Sequence, residues 1–143
     1  MRITLKQEDF IAILEHALIC RPEEACGLIA GEDLEDGTRE IKKVYILTNI
    51  DHTNEHFSID PKEQLAAIKD MRANGLKPLG NWHSHPETPS RPSEEDKRLA
   101  NDSKASYLII SLEVEDKPVL NAFHIEGDQD NKTSRKEDLE VIG

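Results

Sequence analysis

Pro78-Leu79-Gly80-Asn81-Trp82-His83-Ser84 reads as a strand. It leads through His85 into the proline-rich loop Pro86-Glu87-Thr88-Pro89-Ser90-Arg91-Pro92 and then into a capped helix that starts at Ser93. Along a strand, residues i and i+2 face the same way, so the imidazoles of His83 and His85 converge on one point while Trp82 alternates into the core. Neutral imidazole is a good zinc ligand at roughly 2.0–2.1 Å. Two histidines alternating on a half-exposed strand would look the same, so the triplet alone is a weak signal.

Upstream, Lys6 to Ile19 sets Phe10, Ile13, Leu14, Ala17 and Leu18 on one stripe at helical spacing. The pair Arg21-Pro22 ends that helix, because the residue before proline disfavours the α region. Ala25-Cys26-Gly27-Leu28-Ile29-Ala30-Gly31 is short, apolar and closed by glycine, as a buried strand is. The pair Asp36-Gly37 favours a hairpin into a second strand from Ile41 to Leu47, and Glu55 to Ile59 offers a further short strand. Asp60-Pro61-Lys62-Glu63 starts a helix, with Asp60 as N-cap and Pro61 at the first helical position. That helix runs through Leu65, Ile68 and Met71 to a stop at Asn74-Gly75.

Downstream, Tyr107 to Val114 and Val119 to Ile125 form a hairpin across Glu115-Asp116-Lys117. From Gly127 to Lys136 no side chain is apolar, so residues 127–143 read as a flexible C-terminal tail after a domain of residues 1–126. Strands interspersed with three helices predict an α/β or α+β fold, a single domain with a mixed sheet flanked by about three helices.

The composition narrows the function. The chain has 143 residues, with 18 basic against 29 acidic side chains and a net charge of −11. Nucleic-acid binders neutralise phosphates with Lys and Arg, and anionic membranes attract basic patches, so neither partner is expected. No apolar run approaches the ~20 residues of a membrane span, and the first residues lack the apolar stretch of a signal peptide, which predicts a cytoplasmic protein. Cys20 and Cys26 sit in apolar surroundings and read as reduced core residues.

Ser93-Glu94-Glu95-Asp96 is, taken alone, a helix-capping pattern. One short loop separates it from His85, so Asp96 in the first helical turn can swing back toward both histidines. Two histidines and a carboxylate leave a tetrahedral zinc one open position for water, the catalytic arrangement. Glu23 and Glu24 stand at the entrance to the strand of Ala25 to Gly31, where an acidic side chain can serve as a base. Spacing alone does not choose between them. His16 reads as a half-buried helix residue, His52 and His56 as parts of a surface loop, and His124 as structural.

Together, Glu24-Ala25-Cys26-Gly27, His83-Ser84-His85-Pro86 and, seven residues beyond His85, Ser93-x-x-Asp96 resemble the JAMM (MPN-plus) zinc metalloproteases. The resemblance spans residues 3 to 125. It implies a JAMM/MPN-like fold, with His83, His85 and Asp96 binding Zn2+, Glu24 as general base and Ser93 as donor to the oxyanion. Asn49, Asp60-Pro61 and the helix after them resemble the small bacterial branch with sulfur-carrier (CysO-cysteine-type) peptidases. That implies cleavage of an amide or isopeptide bond at the Gly-Gly tail of a small ubiquitin-like or sulfur-carrier protein. The insertions with which eukaryotic relatives grip ubiquitin are absent. Arg91, with Lys97 and Arg98 nearby, is the candidate substrate contact.

The alternative is a non-catalytic MPN-type module that binds a metal or another protein. Inactive relatives typically lose the ligands that this chain keeps. A metallo-β-lactamase pattern would need an Asp-His pair where Pro86-Glu87 stands, and an amidohydrolase barrel needs ~250 residues.

Overall fold

A computed structural model describes residues 1–128 and 130–143. In chain order the elements are β1 (Arg2–Lys6), α1 (Gln7–Cys20), β2 (Cys26–Asp33), β3 (Thr38–Leu47), α2 (Pro61–Ala73), β4 (Lys77–His85), α3 (Glu94–Leu99), β5 (Ser106–Ser111), β6 (Val119–Asp128) and β7 (Asn131–Ile142). The strands form one mixed sheet that closes into a barrel in the order β1-β3-β2-β4-β5-β6-β7. β1 runs parallel to β3 and β7, and β4 runs parallel to β5. The remaining pairs are antiparallel. The expected mixed sheet with three helices is present. No helix of the described residues is long and apolar enough to cross a membrane.

Local chemistry sets the helix ends. Asp60 Oδ1 accepts the Lys62 N–H at 2.9 Å ahead of Pro61, and Arg21 turns to extended backbone before Pro22. Ile13 and Ala17 bury one face of α1 against the core of Ile3, Leu5, Ile29, Trp82, Leu108 and Ile110, while Leu18 stays exposed. The Trp82 indole crosses over Gly27 to donate to the Tyr45 carbonyl at 3.0 Å. A Cβ at Gly27 would collide with both groups, so the glycine is required by this close approach.

Register decides where the loops gather. Cys26 at the start of β2 lies opposite Leu47 at the end of β3 and opposite His83 near the end of β4. His85 pairs with Ser111 at the end of β5. The segments 21–25, 48–60 and 86–93 therefore meet at one end of the barrel. Toward the other end, the buried Arg39 guanidinium binds Asp33 at 2.8 and 3.2 Å, Ser106 Oγ at 2.9 Å and the Lys104 carbonyl at 3.0 Å.

Two expectations need correction. Glu55 to Ile59 is not a strand; it is a loop with a single bridge between Asn49 and Ile59. The expected flexible tail of residues 127–143 is instead largely β7, apart from Gln129, which lies outside the described residues. β7 pairs with β6 from Asn131 to Glu137 and with β1 from Asp138 to Ile142, so the folded unit extends beyond residue 126. Main-chain pairing, to β6 over its first part and to β1 over its last five residues, holds a strand whose side chains, Glu137 excepted, are half-buried or exposed. Polar composition argues against a core strand, but it does not prevent a strand that closes a barrel from outside.

Candidate metal centre

β4 presents His83 and His85 on one face, both nearly fully buried. The loop after β4 is pinned by three short bonds: His85 Nδ1 to the Pro89 carbonyl at 2.8 Å, Ser90 Oγ to the Ile109 carbonyl at 2.6 Å, and Ser111 Oγ to the Thr88 carbonyl at 2.6 Å. This fold-back sets α3 beside β4. A reciprocal capping box starts α3, with Ser93 Oγ accepting the Asp96 N–H at 3.0 Å and Asp96 Oδ2 accepting the Ser93 N–H at 2.9 Å. The same Oδ2 lies 3.2 Å from His83 Nε2 and 3.1 Å from His85 Nε2, which are 3.1 Å from each other. The oxygen of Asp96 that caps the helix is also the one that faces both histidines, so capping does not take it away from them.

The three atoms fit a metal ion. His85 donates its Nδ1 proton to Pro89, which leaves Nε2 with a bare lone pair. Burial lowers the pKa of His83 and keeps it neutral. Burial opposes ionisation of Asp96, yet a proton or cation shared with His83 and His85, together with the Ser93 N–H, outweighs that and holds its carboxyl well below the usual carboxylate range. Three lone pairs thus face one another across little more than 3 Å. A tetrahedral zinc roughly 2.0–2.1 Å from each would space its ligands by about 3.3 Å. A cation held among these three atoms would satisfy all of them at once.

The structure separates Glu23 from Glu24. Glu23 turns outward to His52 at 3.3 Å. Glu24 is 3% exposed, and its Oε1 is buried without a hydrogen-bond partner among the described residues. Burial first, then the charges of Asp96 and Glu95, push its carboxyl up to about 9. Its backbone is fixed by Glu24 N–H to the Thr53 carbonyl at 2.8 Å and by Asn49 Nδ2 to the Glu24 carbonyl at 3.0 Å.

A cavity of about 230 Å³ opens beside His83 and Asp96, with Phe57, Ile59, Leu99 and Ile109 among its walls and Asn81 in its lining. Phe57 stacks on the His83 ring with centroids 4.7 Å apart. Sequence reasoning missed Phe57 and Asn81. The alternation of Phe57 and Ile59 was visible, but as a strand signal rather than as the wall of a site. Arg91 is exposed and is not among the cavity-lining residues, while Lys97 and Arg98 pair with Glu94 and Glu95 on α3. His16 is half-buried against Cys20 Sγ at 3.4 Å, His56 pairs with Asp51 at 3.0 Å, and His124 pairs with Glu126 at 3.2 Å. None of these three joins the cluster.

The model of the prokaryotic homologs of the JAB domain matches residues 6–126. The chain belongs to this family. The resemblance read from Glu24, His83, His85, Ser93 and Asp96 therefore holds at the level of family and fold. As a JAB-domain protein, the chain is 29% identical over 114 residues to the CysO-cysteine peptidase of Mycobacterium tuberculosis, covering 80% of this chain and 76% of that one. It is 28% identical over 115 residues to the desampylase of Haloferax volcanii, covering 77% and 81%. The solution structure of a Desulfitobacterium hafniense protein matches with a TM-score of 0.87 at 49% identity, over 98% of this chain and 92% of that one. β7 lies beyond the family match and within the length that this structure matches.

Proposed function

We propose that this JAB-domain protein is a zinc-dependent hydrolase. Its substrate is an amide or isopeptide bond at the C-terminal Gly-Gly tail of a small ubiquitin-like or sulfur-carrier protein in the cytoplasm. The observation that carries the reading is the cluster of His83 Nε2, His85 Nε2 and Asp96 Oδ2 within 3.2 Å of one another, beside the unpartnered carboxyl of Glu24. The names of the two relatives, a CysO-cysteine peptidase and a desampylase, support the substrate class.

His83, His85 and Asp96 would hold the zinc. When bound, zinc lowers the pKa of water to about 7 and polarises the scissile carbonyl. A cation held beside Glu24 would favour its ionised form, and Oε1 would then take the proton of the attacking water and return it to the leaving nitrogen. Ser93 Oγ accepts the Asp96 N–H through a lone pair, so its own proton is available to the carbonyl oxygen as charge develops there. Arg91, exposed on the loop before α3, contacts the carrier outside the cavity.

Elemental analysis and turnover of a carrier-Gly-Gly–amino-acid conjugate test the reading together. About one zinc per chain is expected, lost in His83→Ala and His85→Ala. Glu24→Gln keeps the zinc and cuts turnover by roughly 10²–10⁴-fold, whereas Glu23→Gln changes little. Arg91→Glu raises KM more than it lowers kcat. Stoichiometric zinc with no cleavage of any Gly-Gly conjugate would instead support the non-catalytic module.

A further inference from the structure

Four buried side-chain polar atoms lack a hydrogen-bond partner among the described residues: Asp9 Oδ2, Glu24 Oε1, Asn81 Oδ1 and His83 Nδ1. Three of the four belong to the candidate site, and the proposed hydrolysis gives Asn81 no task. Asn81 stands two residues before His83 on β4, so its side chain shares the face of both histidines, and it lines the cavity beside His83 and Asp96. Its neighbours in register are Leu28 on β2, which carries no polar side chain, and Tyr107 on β5. The Tyr107 hydroxyl is engaged with the backbone of Asp102, at 3.2 Å to its carbonyl and 3.3 Å to its N–H.

A buried amide oxygen without a partner is a cost that an apolar residue of the same size avoids. Polarity at this position is useful once a donor enters the cavity. The walls include the apolar Phe57, Ile59, Leu99 and Ile109, and the polar side chains that also line the cavity, His56, Ser58 and Gln64, make no hydrogen bond to Asn81 Oδ1. A substrate entering the cavity can supply the donor that these side chains do not. A glycine tail has no side-chain donors, so its main-chain N–H groups are what it can offer. One step of two residues along β4 spans roughly 6.6 Å, so a chain extended along this strand with its scissile carbonyl at His83 and His85 places a nearby peptide group opposite Asn81.

We propose that Asn81 binds and orients the substrate tail by accepting a hydrogen bond, at Oδ1, from a main-chain N–H next to the scissile bond. This assignment rests on the peptidase reading above and goes beyond it by naming the residue that recognises the tail's backbone.

The test uses the full chain loaded with zinc and peptides ending in Gly-Gly-aminocoumarin, together with versions N-methylated at each glycine in turn. Asn81→Leu, which keeps the shape and removes the acceptor, should raise KM about tenfold with kcat within about twofold. N-methylation at one glycine should cost the unsubstituted enzyme a similar factor and cost Asn81→Leu nothing further, a non-additivity that a merely structural role does not produce. Should Asn81→Leu fail to fold, Asn81→Ser and the N-methyl series on the unsubstituted enzyme carry the same comparison. Turnover with unchanged KM in the variants, or equal N-methyl penalties in both enzymes, overturns the Asn81 assignment alone. If the unsubstituted enzyme with full zinc turns over neither these peptides nor a protein conjugate, the peptidase reading fails and the assignment falls with it.

Discussion

Ser84 Oγ accepts the Ala25 N–H at 2.8 Å, and the Ser84 N–H donates to the Ala25 carbonyl at 3.0 Å. The residue between the two histidines thus grips the residue that follows Glu24. Ser84 is fully buried on the face opposite the imidazoles, so the strand that carries both histidines also fixes the backbone next to Glu24.

Removing that hydroxyl leaves the Ala25 N–H unsatisfied in the interior. Ser84→Ala should cost about 1–3 kcal/mol of stability, read as a fall in Tm. Zinc should stay bound, because no ligand is touched, while turnover falls about tenfold as Glu24 loosens. An unchanged kcat with the expected drop in Tm would show that Ser84 supports the fold and not the base.

Glu24 also makes the metal-free protein sensitive to pH. The folded carboxyl holds its proton up to about 9, whereas the ordinary value is 4.5. Between those values the folded state binds more protons than the unfolded state, so stability falls as pH rises and levels off above about 9. After chelation, Tm should decline between pH 5 and pH 9. Glu24→Gln has no proton to lose and should flatten part of that slope. Identical slopes in the two proteins would show that the Glu24 carboxyl is not held neutral.

The double use of Asp96 makes its two roles separable. Ser93→Ala removes the acceptor for the Asp96 N–H and should cost about 1 kcal/mol through the lost cap. Asp96→Asn keeps an oxygen that can accept the Ser93 N–H, so α3 should persist by circular dichroism. It removes the charge, so zinc affinity should drop well beyond that of Ser93→Ala. Equal zinc loss in both variants would mean that the carboxylate acts through helix position and not as a ligand.

How far the sequence alone reaches depends on what each residue answers to. Asp60-Pro61 and Ser93-x-x-Asp96 are local devices, so α2 and α3 start where their caps stand. His83 and His85 follow from strand alternation, and Asp96 from the short loop before it. Spacing does not choose between Glu23 and Glu24; the family resemblance points to Glu24, and the fold buries Glu24 while Glu23 turns out to His52. β1 is not legible in the sequence, because Arg2–Lys6 is a strand by virtue of its parallel partners β3 and β7. β7 was lost behind its charge, although Leu139 and Val141 alternate with acidic residues in the manner of a half-exposed strand.

That overlooked strand reaches the metal centre. Lys132 Nζ on β7 donates to the carbonyl of Arg98 at 3.3 Å and to that of Ala100, the C-cap of α3. The last carbonyls of a helix lack partners inside it, and a lysine there satisfies them and complements the negative end of the helix. α3 is six residues long, too short to persist without packing and caps. Its first turn holds Asp96, so freedom at its last turn reaches the carboxylate that faces both histidines. Lys132→Ala should therefore weaken zinc binding several-fold, although Lys132 is not itself one of the three clustered ligands. Lys132→Arg, which keeps the charge and the donors, should restore most of it. Competition with a chelator of known affinity reads both effects. Zinc affinity that is unchanged in Lys132→Ala, with β7 still formed by amide exchange, would show that α3 is held by its capping box alone.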